Sequence, residues 1–156
     1  MRYVLIAAVA AVLADQSSKY FVVEMLDLKT LGRIDVIDPL LNFRMAWNHG
    51  VNFGLFAHDS QISRWMLILI ATGISGFVVW WIKREDAGFS QQIAAGLLVG
   101  GALGNVIDRL HHGAVADFIN MSCCGFANPY SFNVADVFVF AGVAGILVFG
   151  REKKVL

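Results

Sequence analysis

The sequence predicts an all-α integral membrane protein with four transmembrane helices and short strands after the first helix. The chain of 156 residues is 58% hydrophobic and 15% charged, with a mean hydropathy of +0.65. A soluble domain is about half apolar and about a quarter charged. Four separate segments also approach the roughly 20 apolar residues that a helix needs to cross a bilayer. Together these observations favour a membrane protein over a soluble one.

The four apolar segments are separated by connections of unequal length. We predict helices over about residues 3–25, 65–82, 89–107 and 132–149. The connection over residues 26–64 is the longest, and its Asp38-Pro39 step and mixed polar and aromatic residues predict short strands and turns. We expect a short charged connection over 83–88 and a loop over 108–131. No linker or repeat divides the sequence, so residues 1–156 form one predicted domain.

The first segment also has features of a secretory signal peptide. Arg2 precedes an apolar run, and Val12-Leu13-Ala14 resembles a cleavage site before Asp15. Cleavage there would leave three spans. Apolar residues resume over 20–23, beyond Asp15, so we expect one uncleaved helix instead.

The basic residues predict the orientation in the membrane, because cytoplasmic loops carry an excess of Lys and Arg. One set of basic residues crowds into very short stretches, whereas the other is spread over two long connections. The first set is Arg2, Lys83, Arg84, Arg151, Lys153 and Lys154, and the second is Lys29, Arg33, Arg44, Arg64 and Arg109. We therefore expect both termini in the cytoplasm, with the first connection and the loop carrying Asp117 outside it.

Ionisable and amide side chains at membrane depth suggest a function, since such groups are costly in lipid and often functional. Asp15 and Lys19 lie four residues apart and so share one helix face. This spacing fits a structural ion pair, and it also fits a group that orients a ligand. Asp108 and Arg109 end the third segment and fit an interfacial pair. Asn105, in the preceding turn, is a buried amide that needs partners.

Two groups of glycines have different expected roles. Gly96, Gly100 and Gly104 repeat every four residues, which predicts a face where helices pack closely. Asp108 lies one turn beyond this face, so we expect the polar residues inside the bundle. Gly50 follows a strand-like stretch and permits unusual backbone angles. The nearby amides of Asn48 and Asn52 could bind peptide groups, although a glycine-rich turn is the alternative.

Two aspartates close short apolar motifs late in the sequence. The motifs are Val115-Ala116-Asp117-Phe118-Ile119 and Phe132-Asn133-Val134-Ala135-Asp136-Val137. Taken singly, each aspartate fits a capping or interfacial role, and Asp136 could stabilise the first turn of its helix. Two carboxylates within hydrogen-bond distance cannot both ionise, so one proton is shared. Such a pair supplies a base that activates water and an acid that protonates the leaving amine.

The residues do not predict a metal site. The histidines are scattered, and no spacing completes a metal site around the His111-His112 pair. Cys123 and Cys124 are adjacent, which strains a disulfide, and they are too few for a zinc site. We expect two small, semi-buried thiols in a loop. The formal net charge is zero, and no basic stripe suggests nucleic acid.

With these residues in view, the chain resembles the bacterial lipoprotein signal peptidases (signal peptidase II) over nearly its whole length. Five motifs in the family's order carry the resemblance. They are Asp15 to Lys19, Asn48-x-Gly50 with Phe53, Gly100-Gly101-Ala102-Leu103-Gly104-Asn105 to Asp108-Arg109, Val115-Ala116-Asp117-Phe118, and Phe132-Asn133-Val134-Ala135-Asp136. The chain departs from the family pattern at Asn52, where many members carry alanine, and in the Cys123-Cys124 loop.

The resemblance implies an intramembrane aspartyl endopeptidase of the bacterial inner membrane, with four transmembrane helices and a small extracytoplasmic β-sheet after the first helix. Such enzymes remove the signal peptide from prolipoproteins and cut before a cysteine that carries a diacylglyceryl group. By this resemblance Asp117 and Asp136 would be the catalytic dyad. The residues that would bind substrate or support the site are Asp15, Lys19, Asn48, Gly50, Asn105, Asp108, Arg109, Asn133 and Ala135.

The resemblance also implies the binding partners. They are diacylglyceryl-modified prolipoproteins, membrane lipid, and inhibitors of the globomycin type, which are expected to bind across the dyad. No metal or cofactor is implied. A monomer is sufficient, because both aspartates come from one chain.

Two other classes of function remain as alternatives. A small proton-coupled transporter would use Asp15, Lys19 and Asp108 as a relay. A four-helix thiol oxidoreductase would use the cysteine pair, but the sequence lacks the C-x-x-C spacing of a redox motif.

Overall fold

A computed structural model describes residues 1–50, 60–123 and 128–150. The helices in these ranges are α1 (Arg2–Lys19), which a π-helical segment (Tyr20–Met25) continues, α2 (Leu28–Leu31), α3 (Ser60–Arg84), α4 (Phe89–His112) and α5 (Val134–Phe149). The strands are β1 (Arg33–Ile37), β2 (Leu41–Asn48) and β3 (Val115–Met121). Of the helices described, three are long and apolar enough to cross a membrane: Arg2–Met25, Gln61–Arg84 and Phe89–His112. The apolar α5 is shorter, at 16 residues.

Helix α4 packs against α1, α3 and α5. The sequence permits this because α4 presents glycines where its neighbours approach. A Cβ atom added to Gly100 would lie 2.5 Å from the carbonyl oxygen of Ala8, and one added to Gly96 would lie 2.6 Å from the Cβ of Ala7. Real side chains do not tolerate such distances, so α1 can approach only a glycine face. The predicted packing face is confirmed.

The outward faces of the helices are apolar. Leu5 and Leu69 are each 67% exposed and Phe140 is 76% exposed. A soluble bundle would cover large apolar side chains of this kind, whereas a bundle in lipid turns them outward. Of the polar residues that the sequence singles out on α1 and α4, Asp15, Lys19 and Asp108 are instead buried, and Asn105 and Arg109 are half-buried.

The three strands form one antiparallel sheet in the order β1-β2-β3. The expectation of strands in the first connection is confirmed by β1 and β2. The third strand was not expected, because residues 108–131 were predicted to be a loop. Most of β3 is buried without alternation, so its sequence lacks the period-two pattern that marks a half-exposed strand.

An apolar cluster holds β3 against the end of the first helical segment. Val22 and Val23 of the π-helical segment pack with Leu28, Ala116 and Phe118. Phe118 is only 2% exposed. Because β3 is fixed from this side, Asp117 has a defined place next to the helix bundle.

The end of α4 lies further along the chain than predicted. The helix continues past Ile107 to His112, and Gly113 then adopts a left-handed conformation with φ of +80°. A glycine in this conformation is a common helix terminator. Asp108 and Arg109 therefore lie within the helix, and the predicted helix end at about Ile107 was wrong.

The cysteine motif differs from its prediction. Cys123 is exposed and disulfide-bonded, so the expectation of a semi-buried thiol is wrong for this residue. That expectation relied on the strain of a disulfide between adjacent cysteines. Cys124, like Asn52, Phe53 and His58 of the first connection, lies outside the described residues.

Candidate active site

Asp117 lies on β3 and is only 3% exposed. Two neutral amides hold its carboxylate. Nδ2 of Asn133 donates to Oδ1 at 2.6 Å, and Nδ2 of Asn48 donates to Oδ2 at 3.0 Å. Asn48 ends β2 and Asn133 precedes α5, so the two donors fix Asp117 to two different elements.

Asp136 lies in the first turn of α5 and forms a reciprocal cap with Asn133. The backbone N–H of Asp136 donates to Oδ1 of Asn133 at 2.9 Å, and the backbone N–H of Asn133 donates to Oδ2 of Asp136 at 3.2 Å. This is a capping-box arrangement, so Asp136 lies in the first turn of α5 and its carboxylate caps the backbone N–H of Asn133. The other carboxylate oxygen accepts a hydrogen bond from Nδ2 of Asn105 at 2.9 Å.

Asn133 and Asn105 connect the two aspartates. Nδ2 of Asn133, which donates to Asp117, also donates to Oδ1 of Asn105 at 3.1 Å. A continuous path of hydrogen bonds therefore runs from Asp117 through Asn133 and Asn105 to Asp136. The structure brings both aspartates into one cluster with the two amides that the sequence analysis named.

Burial of Asp117 changes its acidity. Removal from water, together with the charge of Asp136, raises the pKa of Asp117 to about 6, against the opposing effect of the hydrogen bonds from Asn48 and Asn133. An aspartate with this pKa exchanges its proton close to neutral pH. Carboxylates with strongly perturbed pKa values are enriched in functional sites.

A buried ion cluster lies next to the two aspartates. Nζ of Lys19 lies 2.8 Å from Oδ2 of Asp15 and 2.8 Å from Oδ2 of Asp108. The pairing of Asp15 with Lys19 predicted from their spacing is confirmed. Asp108 pairs with Lys19 across the α1–α4 interface, and not with Arg109 as the sequence suggested. Adjacent residues of a helix point in different directions, which disfavours that pair.

The two carboxylates of this cluster also hold the backbone beside the aspartates. Oδ1 of Asp15 accepts the backbone N–H of Ala135 at 2.9 Å, and Oδ2 of Asp108 accepts the backbone N–H of Ala116 at 3.1 Å. Ala135 directly precedes Asp136, and Ala116 directly precedes Asp117. Ala135 therefore contributes its backbone to the site, and it is fully buried there.

Arg109 and Gly50 contact the site through other residues. Nη1 of Arg109 donates to the backbone oxygen of Asn105 at 3.3 Å, and its guanidinium lies in the electrostatic field of Asp117, Asp108 and Asp136. The backbone N–H of Gly50 donates to Oδ1 of Asn48 at 2.9 Å, with a φ of +106° that favours glycine. Gly50 thereby orients the amide that donates to Asp117.

One residue of the cluster was missed by the sequence analysis. Gln16 is half-buried, and its Nε2 donates to Oδ2 of Asp15 at 3.1 Å and to Oδ1 of Asp108 at 3.0 Å. Its position next to Asp15 in an apolar segment was the available signal. A polar residue at that depth needs partners, and the nearest partners are other polar residues.

Within residues 1–50, 60–123 and 128–150, no group of three or more His, Cys, Asp or Glu side chains could hold a metal ion. Nδ1 of His111 lies 3.2 Å from Nε2 of His112, and the ring of His112 also contacts Trp47. These two histidines therefore have partners at the surface.

The apolar outer faces and the linked aspartates, of which Asp117 is buried and Asp136 is half-buried, define a multi-pass membrane protein with a carboxylate site. The chain belongs to the signal peptidase II family, whose model matches residues 7–150. Family membership makes it a protease. The resemblance identified from the five motifs is confirmed.

Individual relatives align with almost the whole chain. The lipoprotein signal peptidase of Nitrobacter hamburgensis is 37% identical over 150 residues, which cover 94% of this chain and 90% of that protein. The lipoprotein signal peptidase of Xanthomonas oryzae pv. oryzae is 38% identical and covers 90% of this chain and 83% of its own length. The family assignment therefore does not rest on a local match.

Two solved structures described as bacterial membrane enzymes share the fold. Each is 28% identical to this chain, with TM-scores of 0.76 and 0.82, and the alignments cover 100% and 99% of this chain and 96% of each solved chain. The combination of apolar helices with a small antiparallel sheet is therefore shared with solved bacterial membrane enzymes.

Proposed function

We propose that this protein is an intramembrane aspartyl endopeptidase that removes the signal peptide from diacylglyceryl-modified prolipoproteins. In this proposal it cuts on the N-terminal side of the lipid-carrying cysteine. Membership of the signal peptidase II family and the names of its relatives support the substrate class. The observation that carries the aspartyl mechanism is that Asn133 hydrogen-bonds both Asp117 and Asp136.

In the proposed reaction, Asp117 and Asp136 share one proton. The ionised carboxylate removes a proton from a water molecule, whose oxygen attacks the carbonyl carbon of the scissile bond. The protonated carboxyl then gives its proton to the leaving amine nitrogen as the carbon–nitrogen bond breaks. The pKa of Asp117, raised to about 6, supports a shared proton near neutral pH.

The surrounding amides suit this chemistry. Asn48, Asn105 and Asn133 each donate a hydrogen bond to one of the two carboxylates. Because neutral donors orient a carboxylate without pairing it with a full charge, they restrain the dyad while the shared proton moves. Such preorganised donors are a general source of catalytic rate.

The proposed membrane arrangement has four spans, with α5 as the fourth. At about 1.5 Å per residue its 16 residues reach about 24 Å, less than the roughly 30 Å hydrocarbon core. A helix that begins in a site already inside the membrane needs fewer residues to reach the opposite surface. This supports a site below the extracytoplasmic face of the inner membrane, with both termini in the cytoplasm.

The lipid on the substrate has a physical role in this proposal. Its acyl chains keep the precursor in the membrane, since each buried methylene contributes about 0.8 kcal/mol. The cysteine that carries the lipid is then held near the headgroup level. The bond before it would reach the dyad at that depth.

The experiment that tests the proposal is a gel-shift assay with purified protein and a diacylglyceryl-modified precursor. Asp117→Asn and Asp136→Asn should each lower the cleavage rate by about 10³-fold or more, within the range of general acid–base catalysis and shared-proton chemistry. Asp35→Asn is the matched control, because Asp35 is an exposed aspartate of β1. Normal cleavage by both dyad variants would refute the aspartyl mechanism, and equal cleavage of an unmodified precursor would refute the lipid requirement.

The transporter alternative is not favoured. Its relay would need Asp15, Lys19 and Asp108 to exchange protons along a path. These side chains are instead engaged with one another and with the backbone of Ala116 and Ala135. The family match also favours the peptidase.

A further inference from the structure

The backbone on either side of the dyad is held by two buried carboxylates. Asp15 accepts the N–H of the residue before Asp136, and Asp108 accepts the N–H of the residue before Asp117. The distance between the carboxylates of Asp15 and Asp108 therefore influences the distance between Asp117 and Asp136. Whatever fixes Asp15 relative to Asp108 also helps to fix the dyad.

Two side chains of α1 span the gap between these carboxylates. Nζ of Lys19 lies 2.8 Å from Oδ2 of Asp15 and 2.8 Å from Oδ2 of Asp108. Gln16, one helical turn earlier, contacts Oδ2 of Asp15 and Oδ1 of Asp108. We call Asp15, Gln16, Lys19 and Asp108 the clasp.

Gln16 and Lys19 are not equivalent in the clasp. Both reach the same oxygen of Asp15, but they take different oxygens of Asp108. If Lys19 were the only contact from α1, it would hold only Oδ2 of Asp108, and the carboxylate could rotate about that oxygen. The amide of Gln16 fixes the second oxygen, and with it the plane of the carboxylate that binds Ala116.

The clasp lies behind the dyad. Gln16, Lys19 and Asp108 line a cavity of about 350 Å³, and Ala116 lines it as well. The hydrogen bonds of Gln16 go to Asp15, to Asp108 and to the backbone oxygen of Gly104. Gln16 therefore has no contact with the reacting atoms, and the cavity leaves room to replace its amide with an apolar group of similar size.

We propose that Gln16 is a positioning residue for the dyad, and that it acts by holding Asp15 and Asp108 at a fixed separation. This inference rests on the proposed peptidase function. Loss of the amide should loosen the spacing of Asp117 and Asp136 while the substrate surface stays intact. The effect should therefore fall on kcat and not on KM.

The first test is Gln16→Leu, measured with the lipid-modified precursor in the full-length protein. We expect kcat to fall about tenfold with KM within about twofold, because small misplacements of catalytic groups are costly. Gln92→Leu is the matched control. Gln92 is also a half-buried glutamine with a hydrogen bond, from Nε2 to the oxygen of Ala87, but it lies at the start of α4. The kcat and the KM of Gln92→Leu should each stay within about twofold of the values of the unsubstituted protein.

A second variant distinguishes positioning from loss of packing. Gln16→Glu places a third carboxyl between Asp15 and Asp108, so it can donate a hydrogen bond only when protonated. Relative to the unsubstituted protein, its kcat should recover as pH falls, whereas that of Gln16→Leu should stay at a constant fraction. The proposal would be overturned if the kcat of Gln16→Leu stayed within twofold of that of the unsubstituted protein. It would also be overturned if both variants kept the same fraction of the unsubstituted kcat at every pH.

A readout without substrate separates this inference from the proposed function. If the unsubstituted protein fails to cleave the lipid-modified precursor, the proposed function fails. The clasp can still be tested by following the carboxyl titration of Asp117 with ¹³C NMR. The titration should move in Gln16→Leu and stay unchanged in Gln92→Leu. An unchanged titration in both variants would overturn the positioning role.

Discussion

Nδ2 of Asn133 lies 2.6 Å from Oδ1 of Asp117. The same residue caps the helix that carries Asp136. A single amide thus combines two tasks: it starts α5, and it holds the two aspartates in one cluster. The two tasks use different atoms of the amide, so substitutions can separate them.

Two substitutions of Asn133 should show this separation. Serine can cap the helix but is too short to reach Asp117. Alanine can neither cap the helix nor reach Asp117. Asn133→Ser should therefore be more stable than Asn133→Ala by about 1 kcal/mol, while both lower the cleavage rate by about 100-fold. Thermal unfolding in detergent and precursor cleavage measure the two effects. Near-normal activity in Asn133→Ala would show that the link to Asp117 is not needed.

The pKa of Asp117 predicts a dependence of stability on pH. Its pKa in the folded protein is about 6, above the ordinary value of 3.8, so between these values the folded state binds more protons than the unfolded state. The free energy of unfolding should therefore fall as pH rises from about 4 to 6. The contribution of this group is at most about 3 kcal/mol, and less where water screens the carboxylate.

Asp117→Asn removes this titration and serves as the comparison. Its free energy of unfolding should change less steeply between pH 4 and 6 than that of the unsubstituted protein, whatever the offset between the two curves. Denaturant unfolding at several pH values measures the slopes. Parallel curves across this range would contradict the raised pKa.

The glycines of the helices offer a graded test of close packing. A Cβ atom at Gly104 would lie 2.5 Å from Oδ2 of Asp15, in the clasp, whereas one at Gly96 would press on Ala7 and Val4. Both Gly104→Ala and Gly96→Ala should cost about 1–3 kcal/mol of stability through overpacking. Only Gly104→Ala should also lower kcat.

Gly76 provides the control for this comparison. A Cβ atom there meets nothing within 4 Å among the described residues, so Gly76→Ala should be neutral or stabilise α3 by up to about 1 kcal/mol. Unfolding temperature and cleavage rate should be measured for all three variants. Equal losses of kcat in Gly96→Ala and Gly104→Ala would show that general packing, and not the clasp, sets activity.

Metal chelators should leave the activity unchanged. The proposed reaction uses two carboxylates, and the described part of the chain has no cluster suited to a metal. Cleavage in EDTA and in a zinc-selective chelator should match the untreated rate. Inhibition that added zinc reverses would contradict this prediction.

The helices and the ion pair within one helix could be predicted from the sequence because both depend on local spacing. A membrane span needs a long apolar run, and Asp15 and Lys19 meet because they lie four residues apart. The end of α4 was misplaced because Asp108 was taken as the start of a loop. Gly113, whose conformation ends the helix, was the better signal.

The contacts between distant parts of the chain were harder to predict. Strand β3 pairs with β2, and a register shift between Phe43 and Ala46 brings Asn48 to Asp117. No local pattern encodes that register. The hydrogen bonds of Ala116 and Ala135 could not be predicted either, because every residue type except proline has a backbone N–H.

The site draws on residues from Asp15 near the start of the chain to Asp136 in the last described helix. A growing chain that has reached only α4 and β3 already contains Asp117, but it lacks the second carboxylate and the amide of Asn133. In the proposed mechanism such a chain has no partner for the shared proton. Peptide cleavage would therefore begin only after α5 has been synthesised and packed, so incomplete copies of the protease would be inert during their own biosynthesis.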